Sequence, residues 1–301
     1  MKIFMVHDVR DFNLNFFPKR YEMQSFLTWK DFLSRLDIIG FENLIKNYKF
    51  NFSDKELKNN NVSLLTFDDG LKDHFKIAKY LSQKKINSIF FVPVEAILNH
   101  KMIESHKIQF ILASADHERL VKDISKQFTD YKDMNADQLN PYYISKWKKN
   151  VWSKEMVFIT RILREGHDVT WRQNTIDDLF KKYVTRDEKN FANEFYLSLD
   201  EVYEISKMGH VIGGHGFTSR DLRFLKITEV IFEINQSIEF IKKFNPKHLF
   251  FAYPNGGFNK NICDALKNSS FSHCFTTQEA NLEINSDTMY TPRFDLTKLE
   301  I

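Results

Sequence analysis

Two cysteines in 301 residues, Cys263 and Cys274, are too few for a disulfide framework and match no zinc-binding spacing. A reducing compartment is the default for such a chain. No apolar run approaches the roughly 20 residues that a membrane span requires. Charge is close to balanced: 43 basic against 40 acidic residues leave a formal net charge of +3. The lysines are scattered, so no nucleic-acid surface is expected. Groups such as Lys146, Lys148 and Lys149 are most simply a solvated helix face. The opening residues Met1-Lys2-Ile3-Phe4-Met5-Val6 are too short for a secretory apolar core and lack a small-residue cleavage site. The expected location is cytoplasmic. No internal repeat or low-complexity tract occurs.

What is present is a chain able to bury a sizeable core. A hydrophobic share of 43% and a charged share of 28% place it among soluble globular proteins. Its length suits one large α/β domain with an insertion, or two domains. The rest is organised around Leu64-Leu65-Thr66-Phe67-Asp68-Asp69-Gly70. An apolar run with a β-branched residue reads as a buried strand, and this one stops on two carboxylates and a glycine. Residues 71–85 follow with helical spacing. The acid pair therefore sits on a strand-to-helix turn, where α/β folds usually place their chemistry. Adjacent acids repel, so burying both requires a cation or a proton between them. The plainer reading is that Asp68 or Asp69 caps the following helix.

Other strands end in the same manner. Residues 2–6 read as a first strand that runs into His7-Asp8. Residues 89–93 read as a buried strand closed by Pro93, which completes a βαβ unit and implies a parallel sheet. From 100 to 196 the texture changes to helical, with Trp147, Trp152 and Trp171 most simply in its core. That stretch exceeds any ordinary connection and reads as an insertion, either a cap or an oligomer contact. The strand–helix rhythm then returns. Ser198 caps a helix over 199–208, and 211–215 is a strand ending on His215. Residues 228–244 form a helix with Ile231, Ile234, Ile238 and Ile241 on one side. A strand over 248–254 breaks into Asn255-Gly256-Gly257, with shorter strands at 274–277 and 290–294. In a parallel barrel such ends converge on one rim. Carboxylate plus imidazole there is the ligand set of a zinc-like site, with the second acid free to act as a base. His74 and His273 read as packing or supporting groups.

These residues carry a resemblance. Thr66-Phe67-Asp68-Asp69-Gly70, with Lys72-Asp73-His74 after it, is similar to the first motif of the polysaccharide deacetylase group, the NodB-homology or carbohydrate esterase family 4. Residues 211–222, with His215-Gly216-Phe217-Thr218-Ser219 at their centre, resemble the second motif. Phe251-Ala252-Tyr253-Pro254-Asn255-Gly256 resembles the third, and Thr291-Pro292-Arg293 the arginine segment. The surface-glycan branch, acting in O-antigen or related biosynthesis, looks nearest. The resemblance implies a distorted (β/α)7-type barrel over 1–99 and 197–301, with 100–196 as a large, mostly helical insertion. It implies hydrolysis of an N-acetyl group from an amino sugar that is nucleotide- or lipid-linked, assisted by a divalent metal such as zinc. By the same resemblance Asp68 is the base, Arg293 its orienting partner, Asp69 and His215 metal ligands, and Tyr253, Asn255 and Gly256 the substrate and oxyanion segment.

The departures from the family pattern matter as much. A second histidine is expected at position 219, where this chain has Ser219, a poor zinc ligand. A late leucine-x-histidine motif is not visible. Asp69 and His215 are one short of the usual three protein ligands of a catalytic zinc. Three arrangements remain open: His7 or Asp8 completes the site, the metal is weak and carries extra waters, or the chain binds glycans without turnover. A related acyl hydrolase or transferase acting on a small sugar intermediate is a further alternative.

Overall fold

Seven strands form one sheet, and all their pairings are parallel. They are β1 (Lys2–Val6), β2 (Ser63–Phe67), β3 (Ser88–Val92), β4 (Val211–Gly214), β5 (Leu249–Ala252), β6 (Phe271–Phe275) and β7 (Phe294–Asp295). Their order is β6-β5-β4-β3-β2-β1-β7. Every residue of β2 and β3 is buried. Strands covered on both faces need apolar residues on both, which is why these two read as runs without alternation. Behind the motif strand, the rings of Phe67 and Phe90 stack 4.7 Å apart. The computed structural model describes residues 1–10, 26–46, 62–131, 139, 153–165, 168–244, 246–283 and 286–300.

Residues 291–295 touch both edges of the sheet. The Thr291 N–H donates to the Cys274 carbonyl at 2.9 Å, and the Thr291 carbonyl accepts from Thr276 N–H at 2.8 Å. A few residues on, Phe294 and Asp295 pair with Phe4 and Met5 of β1. The sheet is thus curled into a half-barrel, matching the distorted (β/α)7 fold expected, and Arg293 lies in the segment that joins its edges. Because all strands run one way, their C-terminal ends share a rim.

Parallel strands need crossovers, which here are helices. They include α1 (Trp29–Ile39), α2 (His74–Gln83) and α3 (Val94–Leu98). The described residues fall into two compact units, 1–10, 26–101 and 192–300 in one and those within 102–191 in the other. In the second stretch come α4 (Glu104–Ser114), α5 (His117–Asp130), α6 (Lys154–Glu165), α7 (Val169–Tyr183) and α8 (Glu188–Phe195). Trp171 belongs to the core of that helical unit: it is 4% exposed, and its ring meets Phe128 edge-on at 5.2 Å. Lys107 is buried there between Asp177 at 2.6 Å and Glu188 at 2.9 Å. Trp147, Trp152, Lys146, Lys148 and Lys149 lie outside the described residues. The first unit continues with α9 (Leu199–Lys207), α10 (Ile227–Lys242) and α11 (Lys260–Lys267). Ser198 and Glu201 form a reciprocal capping box at the start of α9, as the sequence indicates.

Four expectations are corrected. Neither Asp68 nor Asp69 caps a helix: α2 begins at His74, five residues after Asp69. Ile231 is 46% exposed, while Ile234, Ile238 and Ile241 are buried, so the inward stripe of α10 is narrower than the isoleucine spacing suggests. The strand expected at 274–277 is shifted back to Phe271–Phe275. The strand expected at 290–294 is only Phe294–Asp295, because Thr288–Tyr290 turn as a single 3₁₀ loop.

Candidate active site

Asp68 follows the last residue of β2 and is 2% exposed. Its N–H donates to the Val6 carbonyl at 3.0 Å, which continues the β1–β2 ladder and aims the side chain along the rim. Arg293, fully buried, grips it with both arms: Nη1 lies 2.7 Å from Oδ1 and Nη2 2.8 Å from Oδ2. The guanidinium is itself fixed, donating from Nε to the Thr276 carbonyl at 2.9 Å and from Nη1 to the Thr66 hydroxyl at 3.1 Å. Burial works to raise the pKa of Asp68. The Arg293 charge and its hydrogen bonds, with the imidazoles of His215 and His7, outweigh that and hold the acid below the ordinary carboxylate range. Asp68 is therefore ionised and oriented.

Asp69 is turned away from its neighbour by a left-handed backbone, φ 74°, a conformation that Asp tolerates better than most residues. Its Oδ1 lies 3.3 Å from Nε2 of His215, the residue after β4. The other ring nitrogen of His215, Nδ1, donates to the Ala252 carbonyl at 2.9 Å, so the end of β5 sets the orientation of the imidazole. Burial disfavours a charge on His215, but the hydrogen bond to Asp69 and the two nearby carboxylates raise its pKa overall. The repulsion expected between adjacent acids is thus answered separately, Arg293 neutralising Asp68 and His215 facing Asp69.

The remaining expected residues divide. His7 joins the rim: its side chain is 40% exposed and Nε2 is 3.9 Å from Asp68 Oδ2. Asn255 is exposed at the end of β5 with φ 54°, and Gly256 follows at φ 66°. A Cβ on Gly256 would come within 2.4 Å of the Thr277 hydroxyl, so this turn needs glycine. Tyr253 turns inward. It is 1% exposed, and its hydroxyl donates to the Met289 carbonyl at 3.0 Å beside Cys263. Its phenol packs in the core and is held there by that bond. Ser219 is 3% exposed with φ 59°.

The donor chemistry fits a divalent metal in part. Asp69 and His215 present an oxygen and a nitrogen 3.3 Å apart. An imidazole whose other nitrogen is engaged by a carbonyl is the usual form of a metal ligand. No group of three or more His, Cys, Asp or Glu able to hold a metal occurs among the described residues. His7 stands beside Asp68 without forming such a group, and Asp8, 7% exposed, does not form one either.

Sequence reading missed several supporting groups. Thr66 accepts from Arg293 and donates to the Phe4 carbonyl at 2.9 Å, although it looks like an ordinary strand residue. His74, expected to pack or to support, is buried and bonds the His7 carbonyl through Nε2 at 2.8 Å, while the pairing of Arg10 with Asp73 was not foreseen. Glu233 lies 1% exposed on α10. A charged residue within the buried stripe Val230, Ile234, Ile241 was the signal for it, since an acid is almost never buried without a partner.

The family model described as polysaccharide deacetylase matches residues 55–273. No match was found among curated protein sequences. Among solved structures, the fold resembles the Streptococcus pyogenes deacetylase PplD in complex with acetate, at 12% identity and a TM-score of 0.58, over 98% of this chain and 91% of that one. It resembles IcaB from Ammonifex degensii at 13% identity and a TM-score of 0.52, over 98% and 90% of the two chains. A third is BC0361, a polysaccharide deacetylase from Bacillus cereus, with 14% identity, a TM-score of 0.54 and coverage of 98% and 64%. At these identities the three structures show the fold alone; the family assignment rests on the 219 matched residues, which include Asp68, Asp69 and His215. The chain belongs to the polysaccharide deacetylase family and is, by that membership, a carbohydrate deacetylase.

Proposed function

We propose that this protein removes the N-acetyl group of an amino sugar by hydrolysis, in the synthesis of a cell-surface polysaccharide, with a nucleotide- or lipid-linked sugar as substrate. The observation that carries the reading is the buried Asp68, ionised and clamped by Arg293, beside the Asp69–His215 pair. Asp68 takes a proton from the attacking water as its oxygen bonds to the amide carbon. Arg293 keeps the carboxylate aligned and balances its charge where both groups are buried. Backbone N–H at Asn255 faces the oxygen that becomes negative. When the C–N bond breaks, the nitrogen gains the proton that water lost, and the products are acetate and a free amine. Asp69 and His215 would hold a divalent cation, zinc by their donor types, and such an ion polarises the amide carbonyl and acidifies water.

The test is acetate release from tetra-N-acetylchitotetraose and from nucleotide- and lipid-linked N-acetylamino sugars, with added zinc and with a chelator. Release that a chelator abolishes supports the reading; no release from any of them with any divalent metal defeats it. Ser219 favours a second reading, a glycan-binding protein without turnover. Sugar affinity that survives Asp68→Asn, in a parent that releases no acetate, would select it.

A further inference from the structure

Glu233 sits on the inward face of α10, and three hydrogen bonds tie its carboxylate to one turn. Oε2 accepts from the backbone N–H of Phe217 at 2.6 Å and of Thr218 at 2.9 Å. Oε1 accepts from the Thr218 hydroxyl at 2.6 Å. Arg220 closes the set: its Nε donates to the Thr218 hydroxyl at 3.0 Å, and its Nη2 lies 3.9 Å from Glu233 Oε1. The turn is also held from the opposite side. N–H groups at the start of α3 donate to it, Val94 to the Gly216 carbonyl at 3.2 Å and Glu95 to the Phe217 carbonyl at 2.8 Å.

This turn begins one residue after His215. Gly216 has φ 76°, and a Cβ on it would lie 2.8 Å from Glu233 Oε2, so the glycine is what lets the carboxylate approach the chain. Ser219, three residues on, is held in a left-handed conformation at φ 59°. A lone carboxylate buried to this degree is costly, and it persists because the turn supplies donors on every side. His215 is fixed before the turn by its N–H bond to the Val92 carbonyl at 3.2 Å. After it the chain is fixed by the turn, which Glu233 holds on one side and the start of α3 on the other.

We infer that Glu233 is a positioning residue of the active site: it locks the turn 216–219 and thereby sets the placement of His215 beside Asp69. It touches no reacting atom. Its catalytic consequence rests on the deacetylase reading, and its structural consequence does not.

The experiment compares the full chain with Glu233→Gln, which keeps the side-chain shape but turns an N–H donor toward donors. Expected are faster amide hydrogen exchange at Phe217 and Thr218, shifted ¹⁵N resonances of the His215 imidazole, and, with tetra-N-acetylchitotetraose as the probe, a kcat lowered about tenfold or more with KM changed less than about threefold. Thr218→Val, which removes only the hydroxyl donor, should move the same readouts in the same direction by less, and it serves if Glu233→Gln does not fold. Unchanged His215 resonances in a variant whose Phe217 and Thr218 amides exchange faster would overturn the inference, as would unchanged exchange at those amides. A parent that releases no acetate defeats the deacetylase reading alone, because the imidazole resonances still decide the placement.

Discussion

One buried carboxylate, Asp68, stands at the end of β2, another, Glu233 of α10, holds the turn after β4, and the two are neutralised in different ways. Asp68 meets a full positive charge in a two-armed clamp, with both Arg293 nitrogens within 2.8 Å. Glu233 meets neutral N–H and O–H groups, and its nearest guanidinium nitrogen is 3.9 Å away. The first arrangement keeps an acid ionised while leaving it pointed at the rim. The second consumes the acid entirely in shaping a turn. One rim thus separates a carboxylate kept for chemistry from a carboxylate kept for geometry.

The sharpest way to break the comparison is to remove the charge partner. Arg293→Met would strand the Asp68 carboxylate in a dry site and should destabilise the protein by about 3–5 kcal/mol. Asp68→Leu with Arg293→Met removes both charges and should recover most of that loss while leaving no activity. Urea unfolding measures both. If the double variant is as unstable as the single one, the clamp is held by packing and not by charge.

Acid should also weaken the fold through two buried histidines, His74 packed against β2 and His210 just before β4. His74, bonded to the His7 carbonyl, and His210, bonded to the Ala78 carbonyl, are both held down to about 4 by burial, against an ordinary 6.5. Above pH 6.5 both states of the protein carry them neutral and nothing changes. Between 6.5 and 4 the unfolded chain takes up protons that the folded chain refuses, so stability falls as pH falls. Linkage puts the loss at about 2 kcal/mol per histidine between pH 7 and pH 5. Unfolding free energies across that range check it, and His210→Gln should remove about half of the slope that these two residues cause.

Glu233→Gln should cost less than Arg293→Met, about 1–3 kcal/mol, because it strands hydrogen-bond donors and no charge. A cost as large as that of Arg293→Met would mean that the Arg220 charge, despite its distance, carries the site.

How much of this was legible follows from the same contrast. Asp68, Asp69 and His215 are polar groups at the ends of apolar runs, and a strand that stops on such groups announces a rim in any parallel sheet; Arg293, which stands just before β7, was singled out by the motif it resembles. The helical character of the described residues after 100 was visible as a loss of strand pattern. The partners of the supports were hidden because they are backbone groups, which have no sequence signature: Glu233 bonds N–H groups of a turn, and His74 and His210 bond carbonyls. The shift of the last strand to Phe294–Asp295 was equally hidden, since which edge a short segment joins depends on the curl of the whole sheet.

The smallest predicted effect concerns the position where the two ends should cooperate. Asp69 comes from the end of β2 and His215 from the end of β4, so any cation they share ties the ends together, and Ser219 adds no strong donor to them. The backbone at 219 is left-handed, which histidine tolerates better than most residues, and the turn that sets it is anchored by Glu233. Ser219→His should therefore supply a third imidazole or carboxylate donor at little backbone cost and raise zinc affinity about tenfold, read by competition with a chromophoric chelator. The same substitution placed on Glu233→Gln should gain less, because the turn that presents residue 219 is no longer fixed. An equal gain in both backgrounds would show that the geometry of position 219 does not depend on Glu233, and no gain in either would show that residue 219 does not face the Asp69–His215 pair.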